Sequence, residues 1–109
     1  MESEIDLNIS FRFLDLSEIQ AAALKHSKLA ANFGTHYKTK ITTAIVPLNG
    51  TNIDRISVFI KENNISKELT DIFISFVTEY DTHIIDVPVF VNQSVLKLGS
   101  KLVLSYTIA

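Results

Sequence analysis

The feature that most limits what this chain can fold into lies at its start. From Glu4 to Phe13 the residues alternate without exception, with Ile5, Leu7, Ile9, Phe11 and Phe13 on one side and Glu4, Asp6, Asn8, Ser10 and Arg12 on the other. Side chains of a strand point to opposite faces at every second residue, so this pattern predicts a strand with one face in a core and one facing out. A one-faced strand needs neighbouring strands and a covering layer. The chain has 109 residues, enough for one domain, and 47% of them are hydrophobic, so a single core holding residues 1–109 is expected.

The covering layer is announced directly after the strand. Ser17 followed by Gln20 forms a capping-box pattern, in which a hydroxyl and an amide satisfy the free N–H groups of a helix start, so a helix is expected from Glu18. Ile19, Ala22, Ala23, His26, Leu29, Ala30 and Phe33 read as its inward stripe, with Asn32 and Gly34 suited to its end. Residues 37–46 are rich in Thr, Ile and Tyr and read as a second strand.

The middle of the chain supports two assignments. Ile53, Ile56 and Ile60 have helical spacing, whereas Ile56, Val58 and Ile60 alternate like a strand, and residues 69–80 show the same conflict between period and propensity. A helix from Ile53 to about Asn63 is preferred, which makes the Ile72 segment a strand. The alternative places a strand at Arg55 to Lys61 and the second helix at Leu69 to Tyr80, giving a ferredoxin-like split βαβ order. Val87, Val89 and Val91 suggest a short strand, residues 92–99 a turn or two of helix, and residues 102–108 a last strand. Either way the expected fold class is α+β, a two-layer sandwich with a mostly antiparallel sheet of four to five strands and two main helices on one face.

The closing run Val87-Pro-Val-Phe-Val-Asn-Gln-Ser-Val-Leu-Lys-Leu-Gly-Ser-Lys-Leu-Val-Leu-Ser-Tyr106, together with the opening strand and capped helix of residues 9–19, resembles an uncharacterised family of small bacterial domains. The resemblance implies an α+β domain with helices on one face of an antiparallel sheet and no assigned activity. Some small proteins of this type resemble immunity or antitoxin proteins, which act by covering a partner.

Chemistry is sparse. No cysteine means no disulfide, thiolate metal site or cysteine nucleophile, and the glycines at 34, 50 and 99 are too scattered to cradle a phosphate. No catalytic motif is present, so no enzymatic activity and no cofactor are expected. Glu79, Asp81 and His83 would present two carboxylates and an imidazole to a metal ion from an extended chain, although an ordinary solvated turn explains the same residues. His26 reads as a packed or rim histidine of the first helix.

Lys25, Lys28, His36, Lys38 and Lys40 fall in a stretch without an acid, and Lys38 and Lys40 would alternate onto one face of the second strand. That is a candidate contact for nucleic acid or another polyanion, although a sequence pI of 5.8 and only two arginines, Arg12 and Arg55, weigh against a dedicated nucleic-acid binder. Fourteen isoleucines and seven phenylalanines either all fill one sandwich core or leave some side chains for an interface with a protein partner or a second copy. With no basic leader and no apolar run long enough to span a bilayer, the sequence reads as a cytoplasmic protein without membrane contact.

Overall fold

The computed structural model describes residues 7–78 and 86–108. In chain order the elements are β1 (Leu7–Leu16), α1 (Glu18–His26), β2 (Asn32–Thr35), β3 (Thr42–Pro47), α2 (Ile53–Glu62), a 3-10 turn (Lys67–Leu69), β4 (Thr70–Thr78), α3 (Val89–Leu98) and β5 (Lys101–Ile108). The strands form one sheet in the order β2-β3-β1-β4-β5. All neighbours are antiparallel except β4 and β5. The fold is α+β.

The expected alternation of β1 is what the sheet is built around. Phe11 and Phe13 are fully buried, and Arg12 between them faces the opposite side, opposite Ile45 on β3 and Asp71 on β4. A register shift between Phe13 and Leu16 lets both side chains point inward although they are three residues apart. Ala44, Val46, Ile72 and Ile74 extend the same inner face. Ala21, Leu24, Ile53, Ile56, Phe59, Ile60, Val91 and Leu98 close over it from the helices in one continuous cluster. Phe13 meets Phe11 and Phe59 edge to face, with centroids 5.1 and 5.7 Å apart.

The helix at Glu18 starts as expected. The Ser17 hydroxyl accepts from the Gln20 backbone N–H, and the Gln20 side-chain Oε1 accepts from the Ser17 N–H. Its extent and inner face differ from the sequence reading. The helix stops at His26, because the Ser27 hydroxyl and N–H both donate to the Leu24 carbonyl and the backbone turns extended. Ala21 and Leu24 face the core, whereas Ile19 is 81% exposed and His26 is exposed rather than packed. Phe33 belongs to β2 instead, paired with Ala44.

Helical spacing wins in the middle of the chain. Ile53, Ile56 and Ile60 are buried and Val58 is 52% exposed, whereas a strand there would bury Val58 with Ile56 and Ile60. The helix ends where Asn64 takes φ +53 and the Ile65 N–H donates to the Ile60 carbonyl, with the Ile65 side chain tucked into the core. The first four strands therefore have the spatial order 4-1-3-2 of a split βαβ fold. That order arises with α2 as a helix and β4 as a strand, whereas the alternative assignment needs a strand at residues 55–61 and a helix at residues 69–80. A third helix and a fifth strand follow.

Two expected strands are corrected. Residues 37–40 form a turn, in which the Lys40 N–H donates to the His36 carbonyl and Lys40 takes φ +61, so strand pairing starts only at Thr42. Val89 and Val91 are the first turns of α3, not a strand. The Val91 N–H donates to the Pro88 carbonyl, Val91 is buried, and Val89 on the far side is 71% exposed. Two main helices thus become three.

Candidate functional site

The lysine cluster keeps only part of its predicted form. Lys25 in the last turn of α1 lies with its ammonium 5.3 Å from the centre of the Phe33 ring on β2. His36, Tyr37, Lys38 and Lys40 occupy the connection from β2 to β3. There the His36 and Tyr37 rings stack at 5.9 Å, the Lys38 ammonium lies 5.8 Å from the Tyr37 ring, and Tyr37 is 73% exposed. Because these residues form a turn, Lys38 and Lys40 do not alternate along a strand face. Lys28 separates from them and lines a groove of about 360 Å³ with Leu29, Val58 and Phe59, beside Asp54 and Glu62. The structure therefore places Lys25, His36, Lys38 and Lys40 at the β2 edge and sets Lys28 in a separate groove with Asp54, Arg55 and Glu62.

Glu79, Asp81 and His83 lie outside the described residues. Among the described residues no group of three or more His, Asp or Glu side chains is placed to hold a metal ion. No helix among them is long and apolar enough to cross a membrane.

A polar cluster missed from the sequence sits on the face of the sheet away from the helices. Arg12 Nε and Nη2 donate to the two carboxylate oxygens of Asp71 at 2.7 and 2.6 Å, and its guanidinium lies 4.1 Å from the centre of the Phe73 ring. The Asp71 side chain is 1% exposed and that of Arg12 28%. The hydrogen bond to Asp71 raises the Arg12 pKa above its ordinary value; burial opposes this and the carboxylate charge adds to it. A planar fork matching a carboxylate fixes the register of two central strands. Both carboxylate oxygens of Asp71 are engaged by the fork.

The opposite edge of the sheet presents the larger anomaly. Parallel register sets Leu102, Leu104 and Tyr106 of β5 beside Ile72, Ile74 and Phe76 of β4, on the helix-covered face. Ile72 and Ile74 are 0% and 1% exposed, yet Leu102, Leu104 and Tyr106 are 44%, 61% and 59% exposed. The helical layer stops at β4. Tyr106 is braced by a stack on Phe76, with centroids 5.6 Å apart. The outer backbone edge of β5 pairs with no strand among the described residues. The sequence signal was the alternation of Leu102, Leu104 and Tyr106, which marks one apolar face but says nothing of whether a helix covers it.

No family model, curated protein or solved structure matches this chain.

Proposed function

We propose that this is a non-enzymatic cytoplasmic domain that works by binding another polypeptide along β5. The observation that carries the reading is the row Leu102, Leu104 and Tyr106, exposed on a strand whose edge pairs with no described strand. Together these side chains leave on the order of 300 Å² of apolar surface open, the scale at which a patch on a small protein is commonly functional. An added strand would satisfy the edge N–H and C=O groups and cover that row at once. An immunity- or antitoxin-like role, as the resemblance implies, fits a domain that acts by covering a partner.

The test places a photoreactive side chain at Leu104 or, as control, at Ile19, and irradiates native lysate. The expected result is a discrete adduct from position 104 that is absent from position 19 and is suppressed by excess unlabelled protein. Identical adduct patterns from both positions would refute the reading.

A second reading is contact with a polyanion through Lys25, His36, Lys38 and Lys40. It is favoured by one observation: residues 19–53, which span the β2 edge, contain no Asp or Glu, so all twelve acids lie elsewhere. An exposed Tyr37 beside these cations suits a stacked base. Binding of a single-stranded oligonucleotide that weakens steeply with salt, and that Lys38→Glu with Lys40→Glu abolishes, supports it. Salt-insensitive binding or none refutes it.

A further inference from the structure

We infer that the occupant of the β5 edge is β5 of a second copy, paired antiparallel about a two-fold axis at Leu104. This rests on the reading of β5 as the binding edge.

Exposed edges are normally blunted by shortness, proline, a bulge or charge. The β2 edge is only four residues long. The β5 edge is eight residues long, contains no proline, and runs in unbroken register with β4 from Asp71 opposite Lys101 to Thr78 opposite Ile108. Its one charged residue is Lys101, at its first position. Such a strand is built to be paired.

The pattern of β5 is complementary to itself. A two-fold perpendicular to the sheet reverses the strand direction and keeps both helical layers on one side, so paired residues must share a face. Centred on Leu104, it sets Leu104 against Leu104, Leu102 against Tyr106, Val103 against Ser105 and Lys101 against Thr107. All six exposed side chains of the two rows then meet in one patch. The two Lys101 ammonium groups fall at opposite ends, about 20 Å apart along the strand direction at ~3.4 Å per residue. No like charges face each other, and β5 carries no acid that would call for a basic partner. With ~300 Å² per copy from the exposed row plus the paired backbone, the interface falls below about 1,200 Å², the class of reversible dimers.

The chain contains no cysteine, so single-cysteine variants report this register directly. Opposed residues of an antiparallel pair have Cα atoms roughly 4.5 to 5.5 Å apart, within disulfide range. Under mild oxidation Leu104→Cys is expected to link to itself. Val103→Cys, facing Ser105, is not. Leu102→Cys mixed with Tyr106→Cys should give the heterodimer, with neither linking alone. In sedimentation from about 5 to 500 µM the native chain should move from monomer to dimer. Leu104→Lys, which sets two ammonium groups on the axis, should weaken dimerisation about 100-fold with an unchanged far-ultraviolet spectrum. Ile19→Lys should leave it intact.

A native chain that stays monomeric throughout, or equal self-linking by Val103→Cys and Leu104→Cys, overturns the inference. If the chain is monomeric and the probe at Leu104 still labels a different protein, the second copy is excluded while β5 remains the binding edge. If that probe labels nothing specific, both readings fall.

Discussion

Replacing Arg12 by methionine strands the Asp71 carboxylate. Its two fork bonds, at 2.7 and 2.6 Å, disappear while its side chain remains 1% exposed. Removing one partner of a buried ion pair costs ~3–5 kcal/mol. The Arg12 side chain is 28% exposed, so water screens part of the original interaction and a loss of about 2–4 kcal/mol is expected. Of this, ~0.5–1 kcal/mol belongs to the guanidinium over the Phe73 ring. A domain of this size is stable by ~5–15 kcal/mol, so the effect is large, and the melting temperature should fall by roughly 10 °C or more. The comparison is Arg12→Met with Asp71→Leu, which removes both charges and is expected within ~1 kcal/mol of the native chain. Urea titrations followed by circular dichroism give all three values. A loss below ~0.5 kcal/mol for Arg12→Met would equal that of an exposed surface pair and refute the burial argument. The sign with pH follows from the raised Arg12 pKa. The contribution is fully present below the unfolded value and is lost only as the pH climbs through the higher folded one, so Arg12 itself adds no slope near neutrality.

Other substitutions test other parts of the fold by the same titrations. Ser17→Ala removes the hydroxyl that accepts from Gln20 N–H and should cost about 1 kcal/mol, and a neutral result would show that the cap is decorative. Leu24→Ala opens a cavity under α1 and should cost ~2–5 kcal/mol, whereas Ile19→Ser, at a position 81% exposed, should stay within ~0.5 kcal/mol; equal effects would restore the Ile19 stripe as the inner face. Gly99→Ala puts a side chain on φ +67, with its Cβ about 3.0 Å from Lys67 Nζ, and should lose ~1–2 kcal/mol; no loss would mean that this turn is not held left-handed.

The parts of the fold legible in the sequence are those whose signal is local and repeated. Ten alternating residues and a capping box specify β1 and the start of α1 without reference to the rest of the chain. The face of α1 was harder, because its inner side is carried by Ala21 and Leu24 while a larger isoleucine at position 19 points to solvent. Val87, Val89 and Val91 are β-branched and alternate, but three residues cannot separate a period of two from one of 3.6, and the decision lay in Pro88 standing ahead of a helix whose buried positions are Val91, Ser94 and Leu98. β2 is four residues, Asn-Phe-Gly-Thr, with no pattern of its own, and exists because Phe33 finds Ala44. The candidate surfaces depend on what lies across from a residue, which is why Arg12 could be read as outward and not as the partner of Asp71.

The placement of β1 at the centre of the sheet also has a consequence in time. Of its two neighbours, β3 begins at Thr42 and β4 only at Thr70, so Phe11 meets Ile72 across a loop of some sixty residues. During synthesis at about 5–20 residues per second, several seconds separate the appearance of Ile9, Phe11 and Phe13 from that of the strand that completes their burial. The first of the described strands to be made thus waits for the fourth before its burial is complete, a period in which chaperone binding and aggregation compete with folding.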